Sequence, residues 1–257
     1  MTENLSHYLD PLGLGGWQYH PVAGSTNDLA LAWAENDAYD GSLVLADSQT
    51  AGRGRHDRHW ITRPGVALAM SLILRPLEAE TPHFARFTAL AALGLVQALS
   101  DLGLDATVKW PNDILIRDKK VAGVLVEADW QSGAVKAVVI GLGVNVLPES
   151  VPPDEVLRYP ATSVADELGR PVNRWALLAG IIQAMQTYRV DLTQDVFLQS
   201  WNHHLAFREQ WVSLSTSDGT VQTRKVLEVA QDGCLVVEDQ DGTITRHAAG
   251  EIEISTA

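Results

Sequence analysis

Two apolar runs, VAGVLVEAD (121–129) and AVKAVVIGLGVNV (134–146), are separated by only four residues in the middle of the chain. Segments this rich in valine, with so short a connection, predict an antiparallel strand pair. Such a pair needs further strands beside it and helices across it to bury its faces. The flanking sequence supplies both. SLVLAD (42–47) reads as a short apolar strand, and VALAMSLIL (66–74) places its larger apolar residues at even positions, which is strand period. TVKW (107–110) and DILI (113–116) flank a Pro-Asn-Asp turn, and RDKK (117–120) forms a polar hairpin tip. Helical spacing marks GSTNDLALAWAEN (24–36), with Ser25 or Thr26 as N-cap, and FARFTALAALGLVQALSDLG (84–103) as a buried helix ending near Gly103. Two more helices are predicted around 174–190 and 193–205. Strands and helices without regular β-α-β alternation predict an α+β fold with a mixed or antiparallel sheet. From about residue 209, short strand-like runs broken by Asp-Gly turns predict a separate all-β module over 209–257, docked on a main domain over 1–208.

The net charge is −13, so the chain lacks the basic field that drives nucleic-acid binding by counterion release. One cysteine, Cys234, excludes an internal disulfide framework, and the eight histidines show no metal-ligand spacing. No apolar run approaches the roughly 18 residues of a membrane span, and the N-terminus has no signal-peptide pattern, so the expected compartment is the cytoplasm.

Against this acidic background, GRGRHDRHW (52–60) concentrates three arginines in one loop. Gly52 and Gly54 allow close backbone approach or positive φ, while Arg53 and Arg55 offer planar forks to carboxylate or phosphate oxygens. Trp60 can anchor the far end. In KWPNDILI (109–116), Asn112 and Asp113 are oxygen ligands of the kind Mg²⁺ takes, and Lys109 can reach a phosphate. In KKVAGVLVE (119–127), Lys120 precedes a strand whose Ala122 and Gly123 would let a ligand lie against the backbone. GLGVNV (141–146) has no third glycine and opens no helix, so it is no dinucleotide fingerprint; it reads as a strand carrying Asn145 near a ligand. GSTN (24–27) is both a helix cap and a place for an anion at a helix N-terminus. Taken singly, each piece also has an ordinary reading: a solvated basic turn, a type I turn, an exposed hairpin lysine.

Their order is more specific. STN, QTAGRGRHDRHW, KWPNDILI, KKVAGVLVE and GLGVNV in succession resemble the catalytic domain of the biotin–protein ligases, from about residue 20 to 150. The resemblance implies a class II synthetase-like sheet with helices and a small C-terminal SH3-like β-barrel. It also implies the activity: biotin is activated with MgATP to biotinyl-5′-adenylate and passed to one lysine of a biotin carboxyl carrier protein or domain of a carboxylase. Carried over by position, Ser25, Thr26, Asn27, Gln49, Arg53, Gly54, Arg55, Lys120 and Gly123 fall on the biotin side, with Lys120 and Arg55 catalytic. Lys109, Asn112, Asp113, Asn145 and Trp60 fall on the ATP side, with Asn112 and Asp113 toward Mg²⁺. The loop is then a cover that shields an acyl-adenylate from water.

Two departures follow. The family loop usually continues Arg-Gly after GRGR, whereas this chain has His56-Asp57. Only about 20 residues precede the matching region, fewer than a helix-turn-helix needs, which predicts the short class without a DNA-binding domain. The alternatives are a lipoate or octanoate ligase on the same scaffold, or a biotin-responsive regulator without catalysis. A homodimer is left open.

Overall fold

The computed structural model describes the chain except residues 1, 57, 132–133, 154, 156, 158, 217–218 and 255–257. Its main sheet has seven strands in the order β1-β2-β3-β7-β6-β5-β4: β1 Gly16–Ala23, β2 Ser42–Gln49, β3 Ala67–Leu74, β4 Thr107–Lys109, β5 Asp113–Ile116, β6 Lys119–Gln131 and β7 Ala134–Asn145. β1 and β2 run parallel and every other neighbouring pair is antiparallel, so the sheet is mixed. The central β6–β7 pair is the antiparallel hairpin expected from its apolar runs.

β1 was not legible in the sequence. GWQYHPVA alternates Trp and Tyr with polar residues and carries a proline, which is the pattern of a half-covered edge strand. With helix α2 (Thr26–Glu35) it forms a β-α-β unit, β1-α2-β2, that the strand pattern did not anticipate. Helix α1 (Thr2–Leu9) also lies outside the predicted elements.

One face of the sheet is covered by α3 (Arg86–Ser100), followed by α5 (Arg174–Val190), after the short α4 (Val164–Leu168). Nearly all of α3 is buried, in keeping with a helix apolar all round. Asn173 caps α5, its carbonyl oxygen accepting from the amides of Trp175 and Ala176. Period two along β7 sorts the two faces. Val138, Ile140, Leu142 and Val144 enter the large core beneath α3, while Ala137 and Val139 pack with α2 on the other side.

Past α6 (Asp195–His203), the chain forms a five-stranded antiparallel sheet in the order β11-β10-β9-β8-β12. Its strands are β8 Trp211–Ser215, β9 Val221–Val229, β10 Leu235–Glu238, β11 Ile244–His247 and β12 Glu251–Ile254. This antiparallel sheet is consistent with the expected SH3-like module, although among the described residues β11 and β12 do not pair to close a barrel. Val226, Leu235, Val237 and Ile252 join the same contiguous core as Trp110 and α3. The Trp110 indole N–H donates to Gly233 O at 3.0 Å, fastening the C-terminal sheet beside the Pro-Asn-Asp turn. Among the described residues, no helix is long and apolar enough to cross a membrane.

Candidate active site

The strand registers put small residues side by side on the α2 face. Gly123 faces Gly143, Leu125 faces Gly141, and Ala69 and Ser71 of β3 face Gly143 and Gly141. Beyond the reach of α2 the face is only partly covered, by the Trp60 ring over Gly143, and a cavity of about 550 Å³ opens there. This is the size of a small-ligand site. The two glycines of GLGVN are required by close approach. A Cβ on Gly141 would sit 2.2 Å from Asn27 Oδ1, and one on Gly143 would sit 2.3 Å from the Trp60 ring. Every residue assigned above to the biotin or ATP side lines this one cavity, although the motifs come from five separate segments; Ala122, expected against the ligand beside Gly123, instead points into the core on the other face of β6.

One end of the cavity is neutral and polar. Ser25 takes the N-cap backbone position of α2, but its side chain makes no cap bond. Gln49, at the end of β2, does that work from outside the helix: its Oε1 accepts from Thr26 N at 2.8 Å and lies 3.1 Å from Thr26 Oγ1. Behind them, buried Ser71 reaches both Thr26 Oγ1 (2.8 Å) and Asn27 Oδ1 (2.6 Å). Asn27 Nδ2 donates to Leu125 O at 3.2 Å and to Glu127 Oε2 at 2.7 Å.

The arginine loop folds back on itself as a tight hairpin. Trp60 N donates to Gly52 O, Gly54 N donates to Arg58 O, and Arg53 pairs with His59. Neither Gly52 nor Gly54 takes positive φ; the left-handed residue is His56 at φ 54°. Gly52 is instead required by contact, since a Cβ there would lie 2.3 Å from Trp60 O. Asp57, the other half of the His56-Asp57 departure, lies outside the described residues.

The three arginines diverge. Arg53 makes a two-pronged ion pair with Glu127 (3.0 and 2.7 Å) and reaches Asp28 Oδ1 at 2.6 Å. Burial alone would lower its pKa, but the bonds and charges of Glu127 and Asp28 outweigh this and hold it above the ordinary arginine value. Arg58 pairs with Glu251 of β12, so the C-terminal sheet holds the second arm of the loop. Arg55 has no carboxylate within ion-pair distance among the described residues and lies 3.5 Å from Asn112 Oδ1. Burial pushes its pKa below the usual value, with Glu251 and Asp113 pulling the other way. Of the loop arginines, Arg55 is the one whose charge is left for a ligand.

The opposite end of the cavity is cationic. Lys120 Nζ lies 2.6 Å from Asp113 Oδ1, and Lys109 Nζ lies 3.7 Å from Asp113 Oδ2 and 3.9 Å from the Tyr159 ring centroid. Gly123 leaves room for the Lys120 ammonium, whose Nζ would be 3.4 Å from a Cβ there. Asn145 donates to Thr162 O at 3.2 Å. The Trp60 indole N–H is buried at the cavity wall without a hydrogen-bond partner among the described residues, a donor suited to a ligand oxygen.

The metal expectation fits these contacts poorly. Asn112 Nδ2 is committed to Val124 O, its Oδ1 faces Arg55, and the Asp113 carboxylate stands between two ammonium groups. Among the described residues no three His, Cys, Asp or Glu side chains cluster as a metal cage. A dication held by this pair would face three cations. Mg²⁺ arriving with a nucleotide is better held by phosphate oxygens and water.

Four lining or supporting residues escaped the sequence reading. Glu127 was detectable, since period two from Gly123 puts it on the same face of β6. Ser71 is the one hydroxyl in an otherwise apolar strand, a weak signal. Tyr159 and Glu251 come from distant segments and gave none.

A model of the biotin/lipoate A/B protein ligase family matches residues 19–145. The bifunctional ligase/repressor BirA of Bacillus subtilis is 33% identical over 240 residues, covering 92% of this chain and 73% of that protein. The biotin–[acetyl-CoA-carboxylase] ligase of Paracoccus denitrificans is 32% identical over 228 residues, 85% of this chain and 92% of its own length. The chain belongs to the biotin–protein ligase family. In fold, this ligase matches the biotin protein ligase of Aquifex aeolicus in complex with biotin and ATP. That match has a TM-score of 0.77 and 23% identity, and it covers 93% of this chain and 97% of the other.

Proposed function

We propose that the chain joins biotin to ATP as biotinyl-5′-adenylate and passes biotin to a lysine of a carboxyl carrier domain. The observation that carries this reading is one cavity with a flat glycine floor, a neutral hydrogen-bonding end and a cationic end. An acid with a neutral polar head needs the first end, and its carboxylate meeting a triphosphate needs the second.

In the first step a carboxylate oxygen attacks the α-phosphorus, the bond from that phosphorus to the α,β-bridging oxygen breaks, and pyrophosphate leaves with the bonding pair. Negative charge gathers on the α-phosphoryl oxygens, so the chain's contribution is fixed cations rather than an enzyme nucleophile. Lys120 supports this role because its ammonium is held at 2.6 Å by Asp113, and a phosphoryl oxygen can compete for the same protons. Arg55 supports it because no carboxylate among the described residues neutralises it. Arg53 is tied to Glu127 and Asp28 and serves to anchor the loop. In the second step the carrier's neutral lysine amine attacks the acyl carbon and AMP leaves with the bonding pair.

The deciding experiment is pyrophosphate release from MgATP with biotin, lipoate or octanoate offered separately, without carrier protein. Turnover with biotin alone is expected. Turnover with lipoate or octanoate instead would assign the sister reaction on the same scaffold. No turnover with any of them would replace the enzyme by a biotin-responsive regulator.

A further inference from the structure

Glu127 lies within the β6 face that floors the cavity, yet its carboxylate is turned to the chain's own groups. Its Oε2 accepts from Asn27 Nδ2 and from Arg53 Nη2, both at 2.7 Å, and its Oε1 accepts from Arg53 Nη1 at 3.0 Å. One anion thus holds the first arm of the loop and the first turn of α2. We propose that Glu127 is a positioning residue that couples loop closure to recognition of the acid substrate's polar head. The inference rests on the functional reading above.

The first half of the argument is proton order. Both hydrogens of Asn27 Nδ2 face acceptors, Leu125 O and Glu127 Oε2, so the amide cannot turn over without placing its oxygen against two others. Asn27 Oδ1 must then face Ser71, 2.6 Å away, and only the Ser71 hydroxyl can supply that proton. For the 2.8 Å contact between the Ser71 and Thr26 hydroxyls only the Thr26 proton is left, and Gln49 Oε1, 3.1 Å from Thr26 Oγ1, competes for it. Donation runs from Ser71 to Asn27 and ends on the Glu127 carboxylate. The charged terminus fixes which lone pairs and protons this end of the cavity presents.

The second half is the loop. Asp28 is more than half exposed, so its bond to Arg53 is solvent-screened and weak. The Glu127 carboxylate is only about a quarter exposed and grips Arg53 with both oxygens. It is the main tie between the loop's first arm and the main sheet. A glutamine oxygen in place of Oε2 can keep the bonds to Asn27 Nδ2 and Arg53 Nη2, but its amide nitrogen then faces Arg53 Nη1, so the second prong and the charge are lost.

Three variants separate the two roles, read by calorimetric binding of biotin and by tryptic cleavage after Arg55 in the ligand-free protein. R53M removes the loop tie and should speed cleavage. S71A breaks the proton chain and should weaken biotin while leaving cleavage as in the wild type. E127Q should do both, with about a tenfold or greater change in each readout. E127D keeps the charge but is one methylene short, and should move both in the same direction by less. Wild-type biotin binding with E127Q altering only one readout, or neither, overturns the coupling. Absence of biotin binding by the wild type overturns the functional reading instead, while cleavage still reports on the anchor.

Discussion

Lys120 and Arg55 hold their charges differently, and the two should fail differently when removed. The Lys120 ammonium is pinned by Asp113, so it is preorganised where charge develops in adenylation. K120A is expected to lose about 10²-fold or more in biotin-dependent pyrophosphate release; a near-wild-type rate would take Lys120 out of the reaction. Arg55 sits in the loop, half-buried and without a carboxylate partner among the described residues, so its part is to hold the product of that step. R55G should still form adenylate but release it faster, measured as loss of labelled intermediate during rapid filtration. At this scale the sequence was informative about residue type and poor about partners. GRGRHDR announces three cations in a short loop, but that Glu127 neutralises Arg53 and Glu251 holds Arg58 depends on residues 74 and 193 positions away.

Among the elements, β7 does two jobs through its period of two, packing the core with one face and flooring the cavity with the other. Both faces were readable as an apolar strand, but the reason for its glycines was not. G141A is expected to overpack Asn27 against α2 and weaken biotin binding by about 1–3 kcal/mol, with the fold retained. Unchanged calorimetric affinity would mean Asn27 has space to retreat. The β5–β6 hairpin offers a stability test away from the site. Its two turn residues, Arg117 and Asp118, have φ of 49° and 59°, the pattern of a type I′ turn, whose second central position favours glycine. D118G should therefore stabilise the protein by about 1 kcal/mol, seen as a higher midpoint in thermal unfolding. The tip was expected at RDKK as a polar turn. Its turn type depends on backbone signs that side-chain polarity does not encode.

For the whole molecule, the C-terminal sheet shares its core with the main domain and sends Glu251 to the loop. Burial alone would raise the Glu251 pKa, but the Arg58 hydrogen bond and charge hold it below the ordinary glutamate value. A depressed carboxyl stabilises the folded state above its unfolded pKa, and that contribution is lost as pH falls through the lower folded value. The clamp is thus intact at neutral pH and opens only in acid, below the ordinary glutamate range of about 4.3. E251Q should shorten adenylate retention at neutral pH and lower thermal stability slightly, since the Arg58–Glu251 pair is about a third exposed and solvent-screened; unchanged retention would make the C-terminal sheet a brace only. Local pattern was enough for the mixed α+β plan, most strand and helix positions, and many, though not all, of the residues that meet in the cavity. Periodicity and local turn chemistry act over a few residues and survive in the linear order. Which carboxylate each cation faces, why Asn112 and Asp113 make a poor metal cage, and that the C-terminal sheet grips the loop through Glu251 came from the packed structure alone. Those outcomes are set by strand register and by distances between remote segments, and neither quantity is written in any local pattern.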